Sequence, residues 1–393
     1  MQSSVNPFVA TGNIDPDNFC DRVNESSRLI KSLTNGNNIV LISPRRMGKT
    51  ELIKFCYQKN EIKHKYHTFL IDILHTSSLK EFTLLLGKEI FDTLQPRGKK
   101  ALSAFIGALK SINGKFGFDP ATGSPVFNIQ LGDFDKPEYT LKEIFHYLSI
   151  ADKPCIIAID EFQQIAKYPE KNIEALLRSH IQKAANCNFI FAGSQRHMMQ
   201  EMFLSSSRPF YRSSDMLELK AIERPVYISF VVKQFAAGHK KISPENAGKV
   251  YDLFNGHTFY VQKTFNEAFA DTPSGKECTL PIIKSAINCI VSYYDGIFRE
   301  ALSNVSEKQK ELLYAIAADG EAKQITSATF FKKHSLYSTG SVQAAAKKLL
   351  EKDLITYADC TYSVTDKLFA LWINKMNGTS LLTDGYLADG VLD

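Results

Sequence analysis

The chain has 393 residues, 44% of them hydrophobic and 23% charged, with a formal net charge of +5. This composition predicts a soluble protein of two or three domains, and the absence of a long apolar run argues against a membrane protein. The first residues lack the pattern of a signal peptide, and the seven cysteines lack metal-ligand spacing. We therefore expect a cytoplasmic protein with reduced thiols, and the charge neither requires nor excludes nucleic acid as a partner.

A helix is predicted near the beginning of the chain, ending at Leu33. Phe19, Arg22 and Glu25 fall at three-residue spacing at its start. This spacing indicates only that the three side chains share one face of a helix.

A phosphate-binding loop is predicted next, because an apolar strand at residues 38–42 is followed by a short loop and an amphipathic helix. Backbone N–H groups at a helix start favour anions. Lys49 would reach the outer phosphates, and the Thr50 hydroxyl would hold Mg²⁺. Ser43 stands where the pattern usually has Gly, and a basic helix start with a coincidental Gly48 is the alternative. The predicted nucleotide-binding residues of this segment are Ser43, Pro44, Arg45, Arg46, Met47, Gly48, Lys49, Thr50 and Glu51.

Strands then alternate with helices, which predicts an α/β fold with a parallel sheet covered by helices on both faces. Strands are predicted at 66–75, 154–161, 188–193 and 216–222, and helices at 79–94, 101–112 and along Ile173, Leu176, Leu177 and Ile181. A Gly- and Pro-containing stretch at 114–137 interrupts this order. Its segments 115–118 and 126–131 flank a turn at 119–123 and predict a small hairpin, inserted for an unknown purpose.

Polar residues close three of the predicted strands. Ser43, the pair Asp160 and Glu161, and Ser194 all follow apolar runs. Ligands of parallel sheets bind beyond the carboxyl ends of the strands, so one crevice would collect these residues. Asp160 would hold the metal with its water shell, and Glu161 would orient or deprotonate an attacking water.

Each of these assignments has a structural alternative. Asp160 and Glu161 could cap the following helix, and Ser194 with Gln195 could form an ordinary turn instead of sensing the γ-phosphate. Arg208 and Arg212 precede the final strand, where an arginine could stabilise γ-phosphate charge in its own or a neighbouring subunit. A surface arginine is the commoner role for either residue.

The remainder of the chain lacks the α/β pattern. Residues 226–300 are helical, and His257 within them would, taken alone, be a packed or solvated residue. Helical patterns at 308–318, 327–334 and 341–350 precede strand-like segments at 354–357 and 361–364. Three helices and a hairpin predict a winged helix. The predicted domains are a nucleotide-binding domain at 1–225, a helical lid at 226–302, a winged helix at 303–376 and a poorly ordered tail at 377–393.

Several motifs together resemble the archaeal-type ATPase family, P-loop proteins of the AAA+/STAND group that carry a C-terminal winged helix. The resemblance extends from Asn6 to about Trp372. The motifs are Phe19-x-x-Arg22-x-x-Glu25, Ser43-Pro44-Arg45-Arg46-Met47-Gly48-Lys49-Thr50, Ile159-Asp160-Glu161-Phe162-Gln163, Ala192-Gly193-Ser194, Tyr211-Arg212, Gly256-His257-Thr258-Phe259-Tyr260 and the segment 362–372, which contains Asp366-x-Leu368-Phe369-x-x-Trp372.

The resemblance implies ATP or ADP as ligand with Mg²⁺, and it adds three residues to the predicted site. Arg22 and Glu25 would contact the nucleotide base, and His257 of the lid would sense the phosphates, with Thr258 in place of the usual Pro. Many STAND proteins act as slow switches that hold ADP. The first functional hypothesis is accordingly a nucleotide switch with slow hydrolysis.

Two other functions remain open. One is a nucleotide-regulated protein that binds DNA through Gln343, Lys347 and Lys348. Because residues 301–376 are nearly balanced in charge, a protein client is slightly favoured over DNA as the partner of the winged helix. The other is an oligomeric ATP-driven remodelling machine in which Arg212 acts across subunits.

Overall fold

The computed structural model describes residues 6–9, 18–94, 99–112, 117–118, 125–126, 130–131, 136–336, 338–358 and 360–378. The turn at 119–123 and residues 379–393 of the predicted tail lie outside this part. The chain divides into two compact units. Arg22–Lys220 forms the sheet unit, and Ala221–Asp393 together with Met1–Asp21 forms the helical unit. Each unit is described separately.

The sheet unit contains eight helices and seven strands within the described residues. Its helices are α1 (Val23–Thr34), α2 (Lys49–Tyr57), α3 (Asn60–Lys63), α4 (Leu79–Leu94), α5 (Lys99–Ala108), α6 (Pro137–Ile150), α7 (Ile173–Lys183) and α8 (Arg196–Leu204). Its strands are β1 (Ile39–Ile42), β2 (His67–Asp72), β3 (Gly117–Phe118), β4 (Pro125–Val126), β5 (Cys155–Asp160), β6 (Cys187–Gly193) and β7 (Asp215–Glu218).

Five parallel strands form the sheet, in the order β2-β5-β6-β1-β7. Every residue of β1 and β5 is buried. Such continuous burial is expected where helices flank a parallel sheet, and it explains the unbroken apolar runs in the sequence. The predicted α/β class is therefore confirmed.

Two predicted strands are too long. The strand at 66–75 ends at Asp72, and the strand at 216–222 ends at Glu218. Ile73 and Ile222 lie just beyond these ends and are as buried as strand residues. Apolar composition therefore continues past the last ladder bond and cannot locate it. The predicted helix at 101–112 is instead α5 followed by a 3-10 turn at Lys110–Ile112.

The sheet has a protected edge at β2. On this strand the Leu70 N–H donates to Oε1 of Glu89 in α4, at 3.2 Å. Burial raises the pKa of the Glu89 carboxyl above its ordinary value. Elsewhere in this unit, β3 and β4 pair antiparallel with Gly117 opposite Val126, as the predicted hairpin requires.

The helical unit contains nine helices and three short strands within the described residues. Its helices are α9 (Arg224–Ala237), α10 (Pro244–Leu253), α11 (Thr258–Asp271), α12 (Leu280–Tyr293), α13 (Asp295–Ser303), α14 (Glu307–Asp319), α15 (Ala328–His334), α16 (Thr339–Glu351) and α17 (Lys367–Met376). Its strands are β8 (Ala322–Lys323), β9 (Ile355–Ala358) and β10 (Thr361–Val364), in the antiparallel order β8-β10-β9.

Side-chain caps define the helices of the C-terminal segment. Ser306 and Gln309 form a capping box at the start of α14, and Ser327 and Ser338 cap α15 and α16. Asp366 accepts hydrogen bonds from two backbone N–H groups at the start of α17. These caps satisfy the first N–H groups of each helix. The helices predicted at 308–318, 327–334 and 341–350 agree with α14, α15 and α16 to within a few residues.

One apolar core extends through α9–α12 and the winged-helix elements. Phe298 of α13 packs on Phe369 of α17, with ring centroids 5.1 Å apart, and the Trp372 indole N–H donates to Asp295 at 2.8 Å. The predicted boundary at 302/303 thus falls within a continuous core, and its location stays a prediction. In the part of the chain that is described, no helix is both long and apolar enough to cross a bilayer.

Candidate functional site

The loop between β1 and α2 begins at Ser43, which is completely buried. Its N–H donates to the Gly193 carbonyl at 3.1 Å and so extends the β1–β6 pairing by one residue. Positive φ angles in this loop occur at Arg46 (63°) and Gly48 (88°), and Ser43 is not among the positive-φ residues. Ser43 is therefore compatible with the loop, because its position does not need the left-handed conformation that favours glycine.

Gly48 is the N-cap of α2, and its positive φ turns the chain from the loop into the helix. Pro44, Arg45 and Arg46 are exposed, whereas Met47 is buried. The first turn of α2 places Lys49 and Thr50 at the carboxyl end of β1, next to the ends of β5 and β6. Glu51 in the same turn pairs with Lys54 at 2.9 Å and has no described contact with the strand ends.

Lys49 lies between the two carboxylates that end β5. Its Nζ is 2.8 Å from Oδ1 of Asp160 and 2.8 Å from Oε1 of Glu161. The lysine side chain is only 7% exposed. A buried cation with two anionic partners matches the arrangement expected at a phosphate site, since a phosphate would present the same kind of anionic oxygens.

Thr50 and Asp160 form a second contact in the same place. The Thr50 hydroxyl donates to Oδ2 of Asp160 at 2.5 Å, and the Glu161 N–H donates to Oδ1 of the same carboxylate at 2.9 Å. A hydroxyl and a carboxylate are hard oxygen ligands of the type that Mg²⁺ prefers. No cluster of three or more His, Cys, Asp or Glu suited to a metal occurs in the described ranges.

Glu161 has a left-handed backbone (φ 57°) and precedes a 3-10 helix at Phe162–Lys167, which its side chain does not cap. Its Oε2 accepts hydrogen bonds from the Ser194 hydroxyl and the Gln163 Nε2, both at 2.6 Å. Burial alone would raise the pKa of the Glu161 carboxyl, but the charge of Lys49 and these hydrogen bonds hold it below its ordinary value. The Glu161 carboxylate therefore contacts Lys49, Ser194 and the Gln163 side chain, and it does not cap the backbone of the following helix.

The structure thus brings together Lys49, Thr50, Asp160, Glu161 and Ser194, which the sequence predicted as one site. Gln163 also lies in this cluster, although it was identified from the sequence only as the last residue of the motif Ile159-Asp160-Glu161-Phe162-Gln163. The sequence signal that could have identified Gln163 is its position two residues after Glu161. Gln195, by contrast, is the N-cap of α8 without a side-chain cap bond.

Arg22 is buried and connects three parts of the sheet unit. It is the left-handed N-cap of α1. Its Nη1 donates to Glu25 at 2.9 Å and to the Lys220 carbonyl at 2.6 Å, and its Nη2 donates to the Met47 carbonyl at 3.4 Å. Because α1 begins only at Val23, Phe19 does not share a helix face with Arg22 and Glu25. The role of Arg22 and Glu25 at the nucleotide base stays a prediction.

The two candidate arginine fingers have other partners. Arg208 pairs with Glu174 at 3.0 Å and also with Glu201. Arg212 is exposed and its guanidinium lies 5.1 Å from the ring centroid of Tyr211. The contacts described for these two arginines do not include the carboxylates of β5, so a catalytic role for Arg212 stays a prediction.

His257 belongs to the helical unit, where it is the N-cap of α11. Its ring packs on that of Tyr260, with centroids 4.6 Å apart. Its role as a phosphate sensor stays a prediction.

A parallel sheet with a lysine-containing loop at one strand end and paired carboxylates at another defines a P-loop nucleotide-binding protein. The family model of an ATPase domain found predominantly in Archaea matches residues 19–264, more than half of the chain, and this chain belongs to that family. A second model, described as a probable winged helix domain, matches residues 296–375. Family and C-terminal winged helix are thus as predicted.

Solved structures show the same architecture. A Walker-type ATPase of Pyrococcus abyssi has a TM-score of 0.66 at 17% identity, with 94% of this chain and 99% of that chain covered. The ORC2 protein of Aeropyrum pernix, in ADPNP–ADP complexes, has a TM-score of 0.58 at 13% identity, with 95% and 98% covered. At these identities the likeness concerns the fold. No curated protein matches this chain.

Proposed function

We propose that this protein is a nucleotide-dependent switch that binds ATP or ADP with Mg²⁺ and hydrolyses ATP slowly. The observation that carries the proposal is the position of Lys49, whose Nζ lies 2.8 Å from both Asp160 and Glu161. This cluster holds the groups that phosphoryl transfer needs, namely a cation for the phosphates and carboxylates for the metal and the water.

The residues of the cluster have separate roles in this proposal. Lys49 binds the outer phosphates, and Thr50 with Asp160 holds Mg²⁺, which neutralises phosphate charge when bound. Glu161 orients the attacking water, and the Ser194 hydroxyl, which contacts Glu161 at 2.6 Å, responds to the state of that carboxylate. Backbone N–H groups at the start of α2 add to the attraction for phosphate.

A nucleotide-dependent change in the cluster is supported by the contacts that its residues make within the chain. Lys49 has two carboxylate partners, and Thr50 and Asp160 are bonded to each other. A nucleotide must replace these contacts, so its binding changes the arrangement of the cluster. ATP and ADP differ in the phosphate that competes for Lys49, and such a difference in contacts is what a ligand needs to shift a conformational equilibrium.

The output of the proposed switch is a change in position of the lid together with the winged helix. The continuous apolar core of the helical unit supports this coupling. Contacts such as Phe298 with Phe369 and Trp372 with Asp295 join the two predicted domains. They would therefore move as one body, and a protein client that binds the winged helix would register the nucleotide state.

Nucleotide binding is tested with the full-length chain by calorimetric titration with ATP and with ADP, in Mg²⁺. Lys49→Ala should weaken ATP binding about 10- to 100-fold, because a hydrogen bond to a charged group contributes about 1.5–3 kcal/mol. Lys54→Ala is the matched control, since Lys54 lies on the same helix and pairs with Glu51 at the surface. Equal ATP affinity in wild type and Lys49→Ala would contradict the proposal.

Turnover is tested separately by single-turnover cleavage of ATP. We expect wild-type rates at least a hundredfold below the enzyme median of about 10 s⁻¹, and a further loss in Glu161→Gln. Rapid multiple turnover by the wild type would argue for a motor and against a switch. Co-purification of ADP would support the switch.

A second candidate function, DNA binding by the winged helix, is favoured by one charge pattern. Between residues 324 and 350 the chain contains four lysines and no acidic residue. Lys332 and Lys333 of α15 and Lys347 and Lys348 of α16 are all exposed. The ORC1 protein of Aeropyrum pernix, a fold neighbour at TM-score 0.50 and 12% identity, was solved in complex with DNA.

Duplex DNA binding is tested by fluorescence anisotropy over a range of salt concentrations. If α16 contacts phosphates, Lys347→Glu/Lys348→Glu lowers the affinity and reduces the slope of log K against log salt by about 0.9 per lost phosphate contact. Lys276→Glu/Lys284→Glu, with the same charge change outside the winged helix, is the control. An equal loss in both double variants would indicate non-specific attraction and leave a protein client as the favoured partner.

A further inference from the structure

We infer that Gln163 is a positioning residue that fixes one oxygen of the Glu161 carboxylate and so leaves the other to act on the attacking water. This inference rests on the proposed hydrolysis of ATP. It concerns the orientation of Glu161, which the proposed function leaves open.

The two carboxylate oxygens of Glu161 have different kinds of partners. Oε2 accepts from the Gln163 amide and from the Ser194 hydroxyl, both at 2.6 Å. Oε1 contacts Lys49 Nζ at 2.8 Å. The partners of Oε2 are uncharged protein donors, whereas the partner of Oε1 is the cation that a phosphate would bind. When a phosphate binds Lys49, Oε1 becomes available and Oε2 keeps both of its donors.

The orientation of the Gln163 amide follows from its neighbours. An ionised carboxylate only accepts hydrogen bonds, so the amide nitrogen must face Glu161 and the amide oxygen must point away. That oxygen, Oε1 of Gln163, is buried and has no hydrogen-bond partner in the described structure. Leaving a buried acceptor unsatisfied destabilises the fold. The side chain is only 2% exposed, so the amide donates to Glu161 at the expense of its own oxygen.

Two features hold Gln163 in this place. Its neighbour Phe162 packs against Phe191 and Phe210, with ring centroids 4.7 and 5.3 Å away, which anchors the 3-10 helix. The absence of a side chain at Gly193 provides the space for the amide. A Cβ at Gly193 would lie 2.5 Å from Oε1 of Gln163 and also 2.5 Å from Sδ of Met199, closer than real contacts allow, so both side chains use the space that the glycine leaves. Gly193, at the end of β6, thus leaves room for the Gln163 side chain.

The primary experiment compares Gln163→Met with Gln164→Met in the full-length protein. Methionine keeps the length of the side chain and removes the donor. Gln164 is the matched control, because its side-chain amide donates to the Thr76 carbonyl at 3.0 Å, and its bond to Glu161 runs from backbone N–H to backbone carbonyl, which the substitution keeps. Single-turnover rate and ATP dissociation constant are measured for both variants and the wild type, and thermal unfolding confirms that they fold.

We expect Gln163→Met to lower the hydrolysis rate about tenfold or more and to leave the ATP dissociation constant within about twofold, because orientation of a catalytic group affects the rate more than binding. Gln164→Met should match the wild type in both quantities. A faster hydrolysis rate in Gln163→Met would mean that the glutamine inhibits hydrolysis, and this would overturn the inference. An unchanged rate would overturn it as well. A parallel loss of rate and ATP affinity would indicate a general structural role and would also overturn it.

Gly193→Ala perturbs the contact between Gln163 and Glu161 through a residue that packs against Gln163. It is the test of the inference if Gln163→Met does not fold. The added methyl group crowds both the Gln163 amide and the Met199 side chain, and displacement of the amide should lower the rate while ATP affinity is kept. Gly107→Ala, at a site with open space, is the control. Wild-type protein that binds ATP without any cleavage would overturn the proposed hydrolysis and this inference together. Normal wild-type cleavage with unaffected Gln163→Met and Gly193→Ala would overturn this inference alone.

Discussion

The two units of the chain differ in whether they bury charged side chains. Among the described residues, the fully charged side chains that are buried all belong to the sheet unit, whereas the buried polar side chains of the helical unit are neutral amides and hydroxyls. The first group is Arg22, Lys49, Asp160 and Glu174, and the second is Gln234, Gln262, Thr264, Thr272 and Asn374. Burying a charge costs several kcal/mol before pairing, so its retention in one unit indicates a task beyond packing.

The largest expected effect comes from removing the buried cation. In nucleotide-free protein, Lys49→Met leaves Asp160 and Glu161 facing each other without compensation, and the free energy of unfolding should fall by about 3–5 kcal/mol. Urea denaturation measures the change. Lys54→Met breaks a half-buried i,i+3 pair on the same helix and should cost about 0.3–0.5 kcal/mol. Similar losses in the two variants would remove the contrast between buried and exposed charge.

Arg22→Met should have the next largest effect. The variant loses hydrogen bonds to Glu25 and to the Lys220 and Met47 carbonyls, which connect α1, the end of β7 and the phosphate loop. We expect a loss of about 2 kcal/mol in the free energy of unfolding, since hydrogen bonds to charged groups contribute about 1.5–3 kcal/mol. Arg28→Met on the same helix removes an exposed arginine bonded to the Met216 carbonyl, and it should cost clearly less.

The buried carboxylates Glu161 and Glu174 should give opposite pH dependences. Burial raises the pKa of Glu174 and Arg208 offsets this only in part, so its ionisation destabilises the fold as pH rises from about 4.5 through the raised pKa. The pKa of Glu161 is lowered, since its pairing with Lys49 outweighs burial. Its stabilising contribution is present above about 4.5 and is lost as pH falls through the lowered pKa.

Urea midpoints between about pH 3 and pH 7 distinguish the two carboxylates. In Glu174→Gln, the decrease in stability toward the alkaline end of this window should disappear. In Glu161→Gln, the decrease in stability toward the acid end should disappear. If both substitutions change the pH dependence of the urea midpoint in the same direction, the pKa values of Glu161 and Glu174 are not shifted in opposite directions.

The smallest effect is expected at an exposed pair of the helical unit. Arg224 makes two hydrogen bonds of 2.7 Å to the Asp252 carboxylate. Despite this good geometry, Arg224→Met should change the free energy of unfolding by less than about 1 kcal/mol, because water screens both groups. The difference should shrink further at about 1 M salt, where the Debye length is about 3 Å. A large and salt-independent loss would contradict the comparison of the two units.

Patterns with a direct physical cause were predictable from the sequence. Continuous burial explains the apolar runs of the parallel strands, and one-sided burial explains the helical patterns of the winged-helix segment. The convergence of Lys49, Asp160 and Ser194 followed from the rule that parallel strands end at one edge. Strand lengths were less accessible, because residues such as Ile73 stay buried after the ladder ends.

Other features depend on backbone geometry that no periodicity encodes. The left-handed conformations of Arg22 and Glu161 redirect their side chains, and the contact of Gln163 with Glu161 depends on the space left by Gly193. The two-residue strand β8 and the helix α17 were also not predicted as elements. β8 is too short to show alternation, and its pairing with β10 joins segments far apart in sequence.

The hydrogen bond between the Leu70 N–H and the Glu89 side chain has a consequence for association. Leu70 lies on β2, at the edge of the sheet, where an open N–H could pair with an extended segment of another molecule. The Glu89 oxygen already occupies that donor, at 3.2 Å. An incoming chain would have to displace the carboxylate before it could extend the sheet at this point. Glu89 of α4 therefore opposes intermolecular β-pairing at Leu70, in the middle of the edge strand.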